Sequence, residues 1–203
     1  MTAIAMAEQE RRQTVTVLFI DIVGFTSLVD QLDCAEVRAL QRDYFSIVSD
    51  LVRAEGGVVE KYVGDAVMAV FGAGAGGFGP AAAASAVRVG LSVQEALRGR
   101  LLAGRFAVRT RVGVATGDVI VDVAATRNYG HAMISGSVVS TAARLQACAP
   151  HDTVVVCAAT QAATGELIAY QEMPPVRVAG KPYPLDLWRA LEPRGVPALA
   201  FCR

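Results

Sequence analysis

The sequence has few of the side chains that build zinc sites and disulfide frameworks. Its 203 residues include four cysteines and two histidines. No two cysteines form a Cys-x-x-Cys pair, and His131 and His151 stand apart. A zinc site is therefore not expected. A chain of this length can bury a core of its own, so we expect no disulfide framework either.

An excess of charge of one sign is also absent, because 19 basic and 19 acidic residues cancel. We therefore expect no nucleic-acid partner. The N-terminal segment has charges where a secretory leader would be apolar. The uncharged stretch 66–87 is mostly alanine and glycine, too weakly apolar for a membrane span. We expect a cytoplasmic protein with no membrane partner.

The composition is typical of a globular protein, with 53% hydrophobic and 19% charged residues. The sequence predicts a flexible arm over residues 1–13, one folded domain over 14–191 and a tail over 192–203. Single strands are predicted at 15–22 and 153–157, and two strands flank a turn at Gly64-Asp65. Segment 108–124 is predicted to contain two strands joined at 116–118, and a final pair is predicted in 176–180 and 184–191. Helices are predicted at 34–54, 81–97, 136–148 and 159–167.

Hairpins and crossovers alternate in this order of elements. Such an order predicts an α+β sandwich of the ferredoxin-like kind, in which helices pack on a mostly antiparallel sheet.

Two carboxylates lie at unusual points of this pattern. Asp21 interrupts an apolar strand, and Asp65 follows Gly64 at the tip of a half-buried hairpin. A buried carboxylate needs a partner, and two carboxylates at strand ends are suited to Mg²⁺ ions that hold phosphates. The alternative is structural: Asp21 caps the next turn and Asp65 only forms its own turn.

Four segments together resemble the catalytic domain of the class III nucleotide cyclases. They are FIDIVGFT (19–26), EKYVGDAVMAVFG (60–72), GVATGDV (113–119) and VVSTAARLQ (138–146). The resemblance covers roughly residues 14–191. It implies the fold of that family, ATP as substrate with GTP as the other candidate, and a homodimer whose active sites lie between two antiparallel domains.

The resemblance also implies a metal site with two Mg²⁺ or Mn²⁺ ions. Asp21 and Asp65 match the two metal-binding aspartates of the family, and Ile22 would contribute its carbonyl oxygen.

Further positions match residues that bind substrate in the family. Lys61 matches the lysine that reaches across the interface to the purine of ATP, and Lys181 matches a late phosphate-binding lysine. The triphosphate would lie on the backbone amides of Val23, Gly24, Phe25 and Thr26. Arg144 matches the arginine that stabilises charge on the phosphate during ring closure. For Lys61 and Arg144 the alternatives are an ordinary strand lysine and a helix-surface arginine.

The sequence departs from the family at two positions. Ser140 stands where the family has the asparagine that orients the ribose, and Met133 stands at the second purine-reading position. Three interpretations follow: activity persists with weaker base selection, His131 replaces Met133, or the domain has lost its catalytic role. The sequence thus predicts a cyclase that makes 3′,5′-cyclic AMP and pyrophosphate with relaxed base selection. The alternative is a degenerate domain that binds nucleotide or a partner.

Overall fold

The computed structural model describes residues 10–73, 77–122, 134–177 and 184–194. Within these ranges the strands are β1 (Glu10–Ile22), β2 (Val58–Val63), β3 (Ala66–Phe71), β4 (Leu101–Leu102), β5 (Phe106–Ala107), β6 (Thr110–Asp122), β7 (Ile134–Ser135), β8 (Thr153–Cys157), β9 (Ile168–Val176) and β10 (Leu185–Pro193). The helices are α1 (Phe25–Val29), α2 (Cys34–Ala54), α3 (Pro80–Leu97), α4 (Ser137–Cys148) and α5 (Ala158–Thr164).

One eight-stranded sheet organises the molecule. Its strand order is β2-β3-β1-β6-β8-β10-β9, and β7 pairs with β6. All neighbours are antiparallel except β6 and β8, which are parallel. Strands β4 and β5 form a separate small hairpin. The predicted α+β class, with helices on a mostly antiparallel sheet, is confirmed.

Alternation along β1 assigns the helices to the two faces of the sheet. Leu18 and Ile20 are buried in a core shared with α2 and α3. Val15 and Val17 are buried in a second core shared with α4. Successive strand residues point to opposite faces, so Asp21 belongs to the face that α4 covers.

The segment 108–124 differs from the prediction. It was expected to contain two strands joined at 116–118, but β6 is one strand that pairs with β1 along its whole length. Gly117 and Asp118 are usual turn formers, yet here Gly117 packs under α4 and Asp118 accepts a hydrogen bond from Arg12 at 2.8 Å. Pairing with a long neighbouring strand therefore overrides the local preference for a turn.

Both ends of the domain also differ from the prediction. Residues 10–13, assigned to a flexible arm, are the start of β1, because the long β6 continues the pairing there. Strand β10 extends to Pro193, into the segment that was assigned to the tail. Of the strand predicted at 176–180, residues 178–180 lie outside the described residues, and Val176 is the last residue of β9, which includes Pro174 and Pro175. Those prolines are tolerated because β9 lies at the end of the sheet, and the register shifts beside them. No helix in the described ranges is both long and apolar enough to span a membrane.

Candidate active site

The two aspartates selected from the sequence come together at one end of the sheet. Asp21 is the next-to-last residue of β1, and Asp65 closes the turn between β2 and β3. Gly64 takes a φ of 65°, which a glycine adopts without strain, and this confirms the predicted hairpin. The turn aims Asp65 at β1, where its Oδ2 accepts a hydrogen bond of 3.0 Å from the amide of Ile22.

The contact between the two carboxylates changes the proton affinity of Asp65. Burial, followed by a hydrogen bond to Asp21 and the negative charge of Asp21, raises the pKa of Asp65 to about 7. The amide of Ile22 acts in the opposite direction by stabilising the charged form. Two carboxylates this close favour a shared proton when no cation lies between them.

A third group in this region is the hydroxyl of Tyr44, on α2. It is buried and has no hydrogen-bond partner within the described part of the chain. Burial, with the charges of Asp21 and Asp65, raises the pKa of Tyr44 well above its ordinary value. The hydroxyl of Tyr44 is therefore close enough to both aspartates for their negative charges to affect its pKa.

The donor set fits a hard divalent cation. Mg²⁺ is usually bound by one or two carboxylates together with substrate phosphates and water, rather than by a dedicated cage. Two mutually repelling carboxylates supply that set here, and a cation would replace their shared proton. Across residues 10–73, 77–122, 134–177 and 184–194, no group of three or more histidine, cysteine, aspartate or glutamate side chains could hold a metal. The carbonyl of Ile22 is the third ligand expected from the sequence.

Gln146, on α4, was missed as a site residue by the sequence analysis. Its Nε2 donates a hydrogen bond of 3.2 Å to Oδ2 of Asp21. The only hint in the sequence is that Gln146 ends the fourth motif, where a polar side chain follows the apolar Leu145.

The predicted phosphate cradle lies where β1 passes into α1. Gly24 takes a φ of 71°, and the first bond within the helix runs from the amide of Leu28 to the carbonyl of Gly24 at 3.1 Å. The amides of Phe25 and Thr26 therefore precede the first helical bond and stay available to a ligand. The amide of Val23 already donates to the carbonyl of Arg109 at 2.8 Å.

Lys61 lies on β2, at the edge of the sheet, and is exposed. It stands opposite Met68, whose side chain belongs to the α4 face. Lys61 forms no salt bridge among the described residues, and in particular none with Asp65. The hairpin therefore presents the cation and the anion separately.

Arg144 and Ser140 both lie on α4. Arg144 is partly buried and forms no ion pair within the described part of the chain. The hydroxyl of Ser140 donates to the carbonyl of Ser137 at 3.0 Å and is thus engaged within its own helix. Met133, Lys181 and the alternative residue His131 lie outside the described residues.

Comparisons with known proteins identify the family and the fold of this chain. A family model described as the adenylate and guanylate cyclase catalytic domain matches residues 7–188. An uncharacterized protein of Mycobacterium tuberculosis (strain ATCC 25618 / H37Rv) is 35% identical over 148 residues, which cover 70% of this chain and 25% of that protein. The chain thus spans about a quarter of the length of the first curated relatives it matches.

Two solved structures share the fold. The adenylyl cyclase CyaB from P. aeruginosa superimposes with a TM-score of 0.80 at 24% identity, covering 92% of this chain and 97% of that one. The guanylate cyclase domain of RhGC from Catenaria anguillulae, in complex with GTP, gives 0.81 at 20% identity, covering 91% and 100%. With the family model matching nearly the whole domain, the chain belongs to the adenylate and guanylate cyclase catalytic domain family.

Proposed function

We propose that this domain is a nucleotide cyclase that converts ATP to 3′,5′-cyclic AMP and pyrophosphate. The observation that best supports this function is the pairing of Asp21 with Asp65 in a chain of the cyclase family. Burial of two adjacent carboxylates in a core costs free energy, whereas metal ions that hold phosphates are commonly bound by one or two carboxylates.

The reaction joins the ribose 3′-oxygen to the α-phosphorus and breaks the bond from that phosphorus to pyrophosphate. Divalent ions bound by Asp21, Asp65 and the carbonyl of Ile22 would make the 3′-hydroxyl more acidic and neutralise the triphosphate. The proton of the hydroxyl leaves to solvent. Arg144 would stabilise the negative charge that develops on the phosphate oxygens.

The phosphate cradle is proposed at the start of α1. The amides of Gly24, Phe25 and Thr26 would donate to phosphate oxygens, because amides that precede the first helical bond have no partner in the helix. The amide of Val23 is bonded to Arg109, so Val23 would contribute to the shape of the cradle rather than a donor. Lys181, a residue outside the described ranges, remains a proposed phosphate ligand.

The proposed substrate site is shared by two copies of the chain. Arg144 lies two positions before Gln146 on α4, which is about 200° around the helix. Gln146 faces Asp21 of its own chain, so Arg144 points away from that aspartate. A site with both groups therefore needs two chains, and we propose a homodimer.

Base selection is proposed to rest mainly on Lys61. Its exposed ammonium, without a salt bridge in the described part of the chain, could donate to the adenine N1 of a nucleotide bound to the partner. Met133 accepts hydrogen bonds poorly, so little else would distinguish adenine from guanine. GTP is thus a candidate second substrate.

A catalytically inactive domain is the second candidate. The hydroxyl of Ser140 is bonded within its helix, at the position where the family orients the ribose. A domain that only binds nucleotide or dimerises would tolerate this change.

The deciding experiment is an assay of purified protein with Mn²⁺-ATP and Mn²⁺-GTP, with product identified chromatographically. We expect cyclic AMP from the parent, less cyclic GMP, and no product from Asp21→Asn. Asp50→Asn, at an exposed carboxylate of α2, is the matched control and should keep parental turnover. Tight nucleotide binding without product from the parent would favour the inactive domain.

A further inference from the structure

We propose that Gln146 is a positioning residue of the metal site, which holds the carboxylate of Asp21 in the orientation that a divalent cation needs. The inference rests on the proposed function, and it names a role for a residue that would not touch the substrate.

A single hydrogen bond joins the side chains of Gln146 and Asp21. The amide of Gln146 donates to Oδ2 of Asp21 at 3.2 Å, and the side chain is almost fully buried. Apart from its contact with Asp65, this carboxylate has no other side-chain hydrogen bond in the described part of the chain. One oxygen of Asp21 is thereby anchored to α4.

Within the described ranges, Asp21 forms no salt bridge with a cationic side chain that could hold it instead. Arg111 stands directly opposite Asp21 on β6, on the same face of the sheet. Its guanidinium, however, lies at 3.1 Å from Nε2 of His151 and forms no salt bridge with Asp21. A neutral amide therefore fixes the carboxylate and leaves its negative charge available to a metal.

The approach of α4 to the sheet makes this contact possible. Gly113 lies on β6, two residues from Arg111 and hence on the same face. A Cβ atom at Gly113 would lie 2.2 Å from the backbone nitrogen of Gln146 and 2.3 Å from the carbonyl oxygen of Ala142. Only glycine lets the helix backbone come this close, and the side chain of Gln146 can then reach Asp21.

The alternative is that Gln146 is a buried amide that merely uses Asp21 to satisfy its own hydrogen-bonding need. That structural role would affect folding. A positioning role would affect the affinity for the metal, and residues that orient metal ligands typically change it by 10–100-fold. A substitution of Gln146 therefore distinguishes the two roles, because the structural role predicts a change in stability alone and the positioning role predicts a change in metal affinity.

The test measures binding of Mn²⁺ alone, by titration calorimetry, to the full chain and its variants. We expect Gln146→Leu to weaken Mn²⁺ binding about 10–100-fold relative to the parent. Urea unfolding without metal shows that the variant is folded, and the control Gln94→Leu should bind Mn²⁺ as the parent does. Gln94 is a suitable control because its Nε2 is buried without a hydrogen-bond partner in the described ranges. In assays, excess Mn²⁺ should restore turnover of Gln146→Leu.

Mn²⁺ binding by Gln146→Leu within about twofold of the parent would overturn the inference. If that variant does not fold, Gln146→Met takes its place, with the same loss expected and the same result contradicting it. A parent that binds Mn²⁺ but forms no cyclic nucleotide would refute the proposed function alone. A parent that binds Mn²⁺ neither alone nor together with a non-cyclisable ATP analogue would refute both.

Discussion

At the scale of single residues, Asp21 and Asp65 are fixed by neutral donors and not by cations. The amide of Gln146 holds one carboxylate and the backbone amide of Ile22 holds the other. Neither aspartate forms a salt bridge with lysine or arginine among the described residues. The pair is thus oriented without being neutralised, which suits a metal site better than a structural ion pair.

The proton affinity of Asp65 leads to a prediction for the metal-free protein. Its pKa is raised from 3.8 to about 7 in the folded state. The folded chain therefore keeps a proton that the unfolded chain has released, and this contribution to stability is lost as the pH rises from about 4 to 7. After allowing for solvent screening of a half-exposed group, we expect the loss to be about 1–2 kcal/mol.

Urea unfolding in EDTA at several pH values measures this effect. Asp65→Asn should be stabilised relative to the parent at pH 8 and much less at pH 5, whereas the exposed Asp50→Asn should follow the parent. Addition of Mn²⁺ at pH 8 should stabilise the parent and not Asp65→Asn. Parallel pH profiles for parent and Asp65→Asn would contradict the raised pKa.

Ser140 allows a second prediction at this scale. Its hydroxyl bonds to Ser137 in its own helix, and in the proposed enzyme it would not orient the ribose. Ser140→Asn should raise kcat about 10-fold or more and change KM less, since orientation for attack affects the transition state. Thr141→Asn, one position along α4, is the control and should not raise kcat. Unchanged kinetics for both would mean that position 140 does not orient the ribose.

The sequence allowed some of these residues to be identified and not others. Asp21 and Asp65 stand out because carboxylates interrupt apolar runs, and the motifs then relate them to each other. Gln146 does not stand out, because its partner lies 125 positions away and an amide in a helix is unremarkable. A contact that depends on the distance between helix and sheet is visible only in three dimensions.

At the scale of elements, the close approach of α4 to β6 places Gln146 within hydrogen-bonding distance of Asp21. A Cβ at Gly113 would overlap backbone atoms at 2.2 and 2.3 Å, whereas one at Gly117 would meet only the side chain of Val138, at 3.3 Å. Both glycines lie on β6 and face α4. The backbone of α4 thus lies against β6 at Gly113, whereas at Gly117 a new Cβ would meet only a side chain.

This difference predicts unequal costs for two matched substitutions. Gly113→Ala should destabilise the protein by about 3 kcal/mol or more, because the backbone of α4 must move. Gly117→Ala should cost about 1 kcal/mol or less, since a side chain can adjust. Urea unfolding measures both, and similar small costs would mean that the close approach is not needed for stability.

Elements were predicted well where a long hydrophobic pattern decides the structure. Helix α2 begins and ends at the predicted residues, with an Asp33 cap and a stop after Ala54. Strand β6 was predicted wrongly because Gly117 and Asp118 favour a turn locally, while pairing with β1 extends through both. Local preferences therefore failed where a neighbouring strand supplied the deciding hydrogen bonds.

At the scale of the whole molecule, the groups of the proposed active site lie in separate places on one chain. Asp21 and Asp65 meet at one end of the sheet, and Lys61 lies exposed on the edge strand. Arg144 lies about 200° around α4 from Gln146, the residue that contacts Asp21. One chain thus carries the proposed metal ligands in one place and the proposed nucleotide-binding groups in others. Two antiparallel copies would complete two equivalent sites, because a two-fold axis repeats each contribution.

The last prediction tests this shared arrangement by mixing inactive chains. Asp21→Ala and Arg144→Ala should each be inactive alone. In a mixed dimer, one site receives the intact Asp21 of one chain and the intact Arg144 of the other, so mixing should restore about a quarter of parental activity. Asp21→Ala mixed with Asp65→Ala is the control and should stay inactive, because both residues would serve the same half of a site. No recovery in the first mixture, when heterodimers are shown to form, would mean that each chain holds a complete site. Recovery in the control would mean that Asp21 and Asp65 of one chain serve different sites.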